Sequence, residues 1–465
     1  MILQERVKLL LFVLLSISLN SFSTNAKFYN ISDTYGITSG EAFSICKDQY
    51  GFIWTSTKTG ILRVTEGDCR NYELPCRTTD FVFVKLTYSN SQLFSYTNNG
   101  QIFHYDEPTD QFFFLTDLRE ETDNSHITIG TIVADTSNVL WIASSIGLFK
   151  YENNILTKIP QTEEDIKHLT FYDDNHLFYI TSAGISLLNI STSESRLLYS
   201  NTTEDFFQVS SLYYDDQLKR LWIGTGSAGL FYYDIIRKSL SDIPIRNFPK
   251  QPILAIRKDA KNTLLIGIDG QGIWNISEKG DTILHIYKED LNNPFSLRGD
   301  GVYDILCDGS KNWIATFTGK LSFFENNNSQ ITPVTYQINN PNSLGNNYVN
   351  QIIEDHEGHI WFATNNGLSR WDAASNKWKH YYQNKSEQAK VFLSLCEDNQ
   401  GHIWAGSYSS GIYLLDRETG KTLKHYSSKT NTPGFTGDFI FDFFVDKEGD
   451  VWIGGNQKLS CYLVK

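Results

Sequence analysis

Methionine, cysteine and basic residues are all scarce in this chain of 465 residues. The only methionine is the first residue, and six cysteines are too few to build a disulfide scaffold in a chain of this length. Lys and Arg number 40 against 53 Asp and Glu, which gives a formal charge of -13. Such a surface repels phosphate backbones, so we expect no nucleic-acid partner.

The cysteines show no C-x-x-C spacing that would indicate a metal or redox site. Cys46, Cys307 and Cys396 follow apolar segments and precede acidic turns, so we expect them to be small core residues on strands. Cys69 and Cys76 lie close together across a predicted loop. The sequence leaves open whether these two residues form a disulfide.

Motifs of known catalytic and cofactor sites are also missing. The chain contains no H-E-x-x-H, no G-x-S-x-G, no phosphate loop and no G-x-G-x-x-G after a strand. His356, His359 and His402 stand in or beside turns without metal-ligand spacing, which predicts solvated turn residues. Acidic residues recur at repeat positions, so no pair stands out as a glycosidase pair. The sequence therefore predicts a non-enzyme with no catalytic residue, metal site or cofactor.

The N-terminus has the layout of a secretory signal peptide. Arg6 and Lys8 precede an apolar run of eleven residues, 9–19, and a polar stretch then ends at Ala26. The run is shorter than the roughly 20 residues that a membrane-spanning helix needs, and no later stretch approaches that length. We expect cleavage after Ala26, export to the periplasm and no transmembrane helix in the mature chain.

A unit of about 45 residues repeats along the chain. Its clearest copies read Asp-x-x-Gly-x-apolar-Trp and begin at Asp48, Asp355, Asp398 and Asp446. Weaker copies fill the interval, so that ten apolar anchors follow one another in steps of 37 to 48 residues. The anchors are Trp54, Phe94, Trp141, Phe178, Trp222, Leu265, Trp313, Trp361, Trp404 and Trp452. A period of this length is typical of propellers and solenoids.

Each unit consists of short segments rich in β-branched and aromatic residues, bounded by Asp, Asn and Gly, which indicates strands. In the Asp-x-x-Gly turn, the Asp side chain accepts hydrogen bonds from turn amides and the Gly supplies a positive φ. Lys219 and Asn262 replace this Gly in two units, and we expect the turn at Lys219 to differ because lysine tolerates positive φ poorly. The Trp packs between neighbouring sheets. The motif residues predicted to be structural are Asp48, Gly51, Trp54, Trp141, Trp222, Trp313, Asp355, Gly358, Trp361, Asp398, Gly401, Trp404, Asp446, Gly449 and Trp452.

Four short strands per unit predict an all-β fold, a β-propeller built from about ten four-stranded blades. Propeller rings usually hold about four to eight blades. The simplest division is a signal peptide over residues 1–26, a first propeller of about seven blades over 27–336, and three blades of an incomplete second propeller over 337–465. The alternative is a single ten-blade ring in which a strand at 28–31 completes the last blade.

One stretch carries the repeat in its most detailed form. Residues 340–344 read Asn-Pro-Asn-Ser-Leu and lead through 349–355 and the turn Gly358-His-Ile-Trp361 to Asn366-Gly-Leu-Ser-Arg-Trp-Asp372. Residues 293–297 repeat the first part of this stretch as Asn-Pro-Phe-Ser-Leu. In these residues the chain resembles the two-component regulator propeller repeats of the periplasmic sensor region of hybrid two-component systems in gut Bacteroidetes.

The resemblance implies two seven-blade propellers, an immunoglobulin-like domain, a membrane span, a histidine kinase and a response regulator. It also implies a sensor of oligosaccharides released from complex glycans. The sequence departs from this plan after its propeller repeats, so we expect a truncated or split member that lacks its own kinase. The expected partners are an oligosaccharide ligand and a membrane-bound histidine kinase or a second copy of the chain. The alternatives are a propeller enzyme, a lyase or a glycosidase, since streptogramin lyases are similar at the repeat level, and a non-functional fragment.

Propeller geometry predicts where a ligand would bind. The turns between strands two and three open on one face with the connections into the next blade, opposite the Asp-x-x-Gly turns. Short polar side chains in these turns suit sugar hydroxyls. The candidate ligand-binding residues are Lys58, Thr59, Asn98, Asn99, Ser145, Ser182, Ser227, Asp269, Gln271, Thr318, Asn365, Asn366, Ser409 and Ser410.

Overall fold

The computed structural model describes residues 26–31, 41–65, 68–160, 162, 164–200, 208–326, 333–383, 389–430, 435, 437–456 and 458–463. Apart from Ala26, the expected signal peptide lies outside these residues. The described residues form nine four-stranded sheets and one three-stranded sheet, all antiparallel. A helix α1 (Leu118–Thr122) and a 3-10 turn (Ser428–Thr430) interrupt the strands. The expected all-β fold with ten blade-like sheets is therefore confirmed.

The chain divides into two compact units. Unit 1 comprises residues 1–290 and 295–329, and its described part contains seven sheets. Sheet 1 is β2 (Ser44–Lys47), β3 (Ile53–Thr57), β4 (Gly60–Val64) and β5 (Cys69–Tyr72). Sheet 2 is β6 (Val84–Ser89), β7 (Gln92–Thr97), β8 (Gln101–Asp106) and β9 (Gln111–Asp117). Sheet 3 is β10 (Ile129–Ala134), β11 (Leu140–Ser144), β12 (Gly147–Glu152) and β13 (Ile155–Lys158).

The remaining sheets of unit 1 follow in chain order. Sheet 4 is β14 (Leu169–Asp173), β15 (His176–Thr181), β16 (Gly184–Asn189) and β17 (Ser195–Ser200). Sheet 5 is β18 (Val209–Asp215), β19 (Arg220–Thr225), β20 (Leu230–Asp234) and β21 (Ser239–Asp242). Sheet 6 is β22 (Ile253–Lys258), β23 (Leu264–Ile268), β24 (Gly272–Ile276) and β25 (Ile283–Tyr287). Sheet 7 is β26 (Val302–Asp308), β27 (Lys311–Thr316), β28 (Lys320–Glu325) and β1 (Phe28–Asn30).

Unit 2 comprises residues 291–294 and 330–465, and its described part contains three sheets. Sheet 8 is β29 (Val349–Glu354), β30 (Ile360–Thr364), β31 (Gly367–Asp372) and β32 (Lys377–Tyr381). Sheet 9 is β33 (Phe392–Glu397), β34 (His402–Ser407), β35 (Ile412–Asp416) and β36 (Thr422–Tyr426). Sheet 10 is β37 (Ile440–Val445), β38 (Val451–Gly455) and β39 (Leu459–Tyr462).

The core of unit 1 consists of apolar clusters that each join two neighbouring sheets. A further cluster joins sheet 7 to sheet 1 and includes Ile45 and Trp313. The first strands of neighbouring sheets also contact one another, and β26 contacts β2. These contacts form a closed series, and we refer to the region that the seven first strands flank as the central space. The division into seven and three blades stays a prediction, which these contacts favour.

The strand near the N-terminus completes a sheet of unit 1. Phe28 of β1 pairs with Phe324 of β28, and its ring packs 4.9 Å from the ring of Phe324. Residues 28–30 therefore complete sheet 7 and not the tenth blade, so the strand pairing expected for the ten-blade ring is wrong. Strand pairing of this kind joins residues far apart in sequence, and the apolar pattern of residues 28–31 does not specify the partner.

The turn chemistry predicted for the repeat is confirmed. One oxygen of Asp48 accepts hydrogen bonds from the amides of Tyr50 and Phe52, both at 2.9 Å, and the other accepts from Nε1 of Trp54 at 2.7 Å. Gly51 has a φ of 88°. The turn of sheet 5 differs, as expected, because it contains one more residue. The reason given for the difference is wrong, since Lys219 takes a positive φ of 54°.

Three of the cysteines pack as small residues at the core, as expected. Cys46, Cys307 and Cys396 lie on first strands and pack against the apolar clusters, and burial raises the pKa of each thiol. Cys69 and Cys76 are free thiols in this structure. All six cysteines are described, and none of them forms a disulfide.

Candidate functional site

The predicted ligand-binding residues all lie in the turns that join the second and third strands of their sheets. Ten of them belong to unit 1: Lys58, Thr59, Asn98, Asn99, Ser145, Ser182, Ser227, Asp269, Gln271 and Thr318. Four belong to unit 2: Asn365, Asn366, Ser409 and Ser410. Because the strands are antiparallel, each first strand begins beside the turn that ends the second strand. The turns of unit 1 therefore adjoin the starts of the first strands that flank the central space.

Asn98 and Asn99 hold a connection of their own sheet in place. The Asn98 Oδ1 accepts hydrogen bonds from the amides of Val82 at 2.7 Å and Phe83 at 3.2 Å. The Nδ2 of the buried Asn99 donates to Oδ1 of Asp80 at 2.8 Å. These side-chain amides hold the segment that leads into sheet 2. A ligand would therefore contact the segment that they position more than the amides themselves.

Ser182 lies in a cleft at this end of sheets 4 and 5. The cleft has a volume of about 330 Å³ and is lined by Glu164, Asp165, Lys167, Ile180, Thr181, Ser182 and Val209. Ser182 Oγ donates to Oε2 of Glu164 at 2.5 Å, and Lys167 Nζ lies 3.8 Å from Oδ2 of Asp165. Hydroxyl, carboxylate and ammonium groups converge here in a volume at the lower end of the range for small-molecule sites.

Three aromatic rings meet at the same end of sheets 1 and 7, and we refer to Phe43, Tyr303 and Phe317 as the aromatic platform. The rings of Tyr303 and Phe317 are stacked with centroids 6.0 Å apart, and Phe43 meets Tyr303 edge-on at 5.4 Å. Phe317 is 45% exposed although it is large and apolar. An exposed ring of this kind offers a flat surface for the apolar face of a sugar.

Asp269, one of the predicted residues, adjoins the aromatic platform. A Cβ added to Gly301 would lie 3.2 Å from Oδ1 of Asp269 and 3.4 Å from Cβ of Phe317. Burial and then the charge of Asp269 raise the pKa of Tyr303. The platform thus has a carboxylate beside its rings. The rings suit the apolar face of a sugar, and the carboxylate can accept hydrogen bonds from the sugar hydroxyl groups.

Four titratable side chains from different sheets form what we name the inner cluster: Lys85, His168, Arg257 and Asp304. Lys85, Arg257 and Asp304 lie on the first strands of sheets 2, 6 and 7, and His168 directly precedes the first strand of sheet 4. Arg257 Nη2 lies 3.1 Å from Oδ1 of Asp304. β-Bulges near the starts of β22 and β26 change the direction of side chains on these strands.

The charges of the inner cluster act on one another. Burial lowers the pKa of Lys85, with Arg257 acting in the same direction and Asp304 against it. Burial and then the charge of Lys85 lower the pKa of His168 to about 3. His168 is therefore neutral at pH 7, while Arg257 is paired with Asp304 and Lys85 has no ion-pair partner among the described residues.

The aromatic platform and the inner cluster were missed by the sequence reasoning. One usable signal is that the strand-two-to-three turn of sheet 7 begins with the aromatic residue Phe317, a feature that only Tyr408 of sheet 9 repeats among the described turns of this kind. Another is that Lys85 and Arg257 interrupt first strands that are otherwise largely apolar. Neither signal reveals which residues meet, because the rings and charges come from segments far apart in the chain.

The opposite ends of the sheets carry the Asp-x-x-Gly turns and the histidines. His356 Nδ1 lies 2.5 Å from Oε1 of Glu397, and His402 Nδ1 lies 3.3 Å from Oδ2 of Asp398. His359 is enclosed between Asp355 and Arg370 with only 16% of its side chain exposed, so the expectation of a solvated turn residue is wrong there. No group of three or more potential metal ligands occurs among the residues that the structure describes. Within the same residues, no helix is long and apolar enough to cross a bilayer.

Three segments of the sequence, residues 343–366, 386–409 and 434–457, match the family described as Two component regulator propeller. These three segments are similar to repeats of that family. All three matches fall within unit 2, around the second strands of sheets 8, 9 and 10. The resemblance read from residues 340–372 is thereby confirmed. No curated protein sequence matches this chain.

Solved structures agree with these repeats at the level of the fold. Two are extracellular domains of B. thetaiotaomicron proteins named as hybrid two component systems: BT3049, with a TM-score of 0.54 and 16% identity, and BT4673, with 0.52 and 19%. Each match covers 94% of this chain, but 71% of the BT3049 domain and 66% of the BT4673 domain. Virginiamycin B lyase from Staphylococcus aureus matches with a TM-score of 0.52 and 14% identity over 65% of this chain and 99% of the lyase. Identities this low show a shared propeller fold and leave function open.

Proposed function

We propose that this two-component regulator propeller is a periplasmic, exported module that binds oligosaccharides derived from glycans. Ligand binding would be passed to a two-component signalling system through a membrane-bound histidine kinase or a second copy of the chain. The observation that carries the proposal is the aromatic platform beside Asp269, at the same end of unit 1 as the cleft around Ser182. The family repeats and the similarity to extracellular domains of two-component proteins support the signalling role.

Calorimetry with a panel of plant and host oligosaccharides tests this proposal. For a saccharide that binds, Phe317→Ala should weaken affinity about tenfold, because an exposed stacking surface is lost. The paired change Asp269→Ala with Gln271→Ala should weaken it by about 1 to 3 kcal/mol, because hydrogen bonds to sugar hydroxyls are removed.

The matched control lies at the opposite ends of the sheets. The paired change His356→Ala with His402→Ala should leave the affinity unchanged. The reverse pattern, with losses at the histidines and none at Asp269 and Gln271, would place the binding site among the Asp-x-x-Gly turns. A panel in which no saccharide binds would contradict the proposed ligand class.

We further propose that the module binds its ligand without chemical conversion. The same panel should release no product on prolonged incubation. Turnover that is abolished by one Asp or Glu substitution, for example at Glu164 or Asp165 in the cleft, would instead place the protein among propeller enzymes such as lyases or glycosidases.

A further inference from the structure

The ammonium group of Lys85 differs from the other cations on the first strands of unit 1. Lys47 lies 2.8 Å from Asp308, Arg257 lies 3.1 Å from Asp304, and Lys258 lies 2.6 Å from Glu278. Lys85 has no hydrogen bond or ion pair to any residue that the structure describes, and its Nζ lies 5.0 Å from the ring centroid of Phe83. The charge of Asp304 acts on Lys85 without forming an ion pair. A half-buried ammonium group with no ion-pair partner is costly, so such a site favours an anion from outside.

Asp304 is the carboxylate of the inner cluster, but three of its roughly four acceptor positions are already used. Its Oδ1 accepts from Nη2 of Arg257 at 3.1 Å and from the amide of Ile305 at 2.9 Å. Its Oδ2 accepts from the amide of Ile45 at 2.9 Å. Asp304 thus neutralises Arg257 and closes the contact between sheets 7 and 1, which leaves the charge of Lys85 in excess.

His168 supplies no negative charge, and its hydrogen bonds define its tautomer. Thr131 Oγ1 donates to the carbonyl oxygen of Lys167 at 2.9 Å, so it accepts from Nδ1 of His168 at 3.1 Å. The neutral ring therefore carries its proton on Nδ1 and keeps Nε2 as an acceptor. A hydroxyl donor and an anionic group on one molecule would suit His168 and Lys85 together.

We propose that Lys85 binds a carboxylate or sulfate group of an acidic oligosaccharide that enters the central space of unit 1 from the strand-two-to-three end. This inference rests on the proposed function and specifies its ligand class. The positive group lies inside a chain with a formal charge of -13, so the site selects an anion by local contact, against the overall field of the protein. Neutral sugar rings would contact the aromatic platform while the acidic group reaches the inner cluster.

Calorimetry on the full chain at fixed ionic strength tests the inference with four probes. These are a glucuronate-containing disaccharide, a sulfated disaccharide, the neutral parent disaccharide and inorganic sulfate. At least one acidic disaccharide should bind at least tenfold more tightly than the neutral one. Lys85→Gln should remove that difference without affecting the neutral disaccharide, whereas Lys85→Arg should preserve it. The matched control is Lys261→Gln, which removes one charge from an exposed turn at the opposite end of sheet 6.

A second measurement does not depend on the folding of a variant. Acetylation of Lys85 by acetic anhydride, followed by peptide mass spectrometry, should be slowed by the acidic disaccharide and not by the neutral one. Equal affinity for acidic and neutral disaccharides, or an unchanged preference in Lys85→Gln, would overturn the inference and leave oligosaccharide binding in place. Sulfate binding that requires Lys85, with no disaccharide bound, would support the anion site and contradict the proposed function. Absence of binding by all four probes would contradict both.

Discussion

Asp355 shows how a single carboxylate organises a repeat. One oxygen accepts from the amides of Glu357 at 3.1 Å and His359 at 2.9 Å, and the other accepts from Nε1 of Trp361 at 2.9 Å. Burial opposes ionisation of Asp355, but these hydrogen bonds outweigh it and hold its pKa below the usual value. The stability from this group is present above the unfolded pKa of about 4 and is lost as the pH falls through the folded value.

Substitution of Asp355 by alanine should lower the free energy of unfolding of unit 2 by about 3 kcal/mol, because buried donors lose their acceptor. Asp446→Ala is the matched control: Asp446 makes the same three bonds, but its partner Trp452 is 37% exposed and water can replace them. Its expected cost is below about 1 kcal/mol. Urea unfolding followed by tryptophan fluorescence at pH 7 measures both, and equal losses would show that burial does not set the cost.

Strands and turns were predictable where their determinants are local. Asp48, Gly51 and Trp54 lie within seven residues, so the hairpin that they specify can be read from sequence. The partner of β1 could not be read in this way, because Phe28 meets Phe324 across most of the chain. Pairing at such a distance depends on which sheet lacks a fourth strand, and that is a property of the assembled unit.

The closing strand of sheet 7 gives a prediction at the scale of one element. Phe28 is 3% exposed and packs against Phe324 and Tyr287, so Phe28→Ala should destabilise unit 1 by about 3 to 4 kcal/mol. Tyr29→Ala changes the neighbouring residue, which is 42% exposed, and should cost clearly less. Thermal unfolding of the two variants measures the difference. An unchanged melting temperature in Phe28→Ala would mean that β1 does not hold sheet 7.

At the scale of the whole molecule, the repeat predicts the fold better than it predicts the site. The turns that carry the predicted residues were located correctly, because every unit repeats the same order of strands. The aromatic platform unites Phe43 with Tyr303 and Phe317, and the inner cluster unites Lys85 with Arg257. These groups meet only because the contacts between first strands close into a series, which no single repeat encodes.

The division of the chain into a seven-blade ring and three further blades is the prediction that belongs to the whole molecule. Unit 1 holds a core cluster for each of its seven pairs of neighbouring sheets, and β1 supplies the fourth strand of sheet 7. A chain of residues 27–336 should therefore fold alone and unfold in one cooperative transition. Circular dichroism and urea unfolding of this chain and of residues 27–465 check the expectation. The variant Phe28→Ala in both chains is the control, because it weakens the strand that completes sheet 7. An unfolded short chain, together with a single sharp transition of the long one, would favour one ring of ten blades.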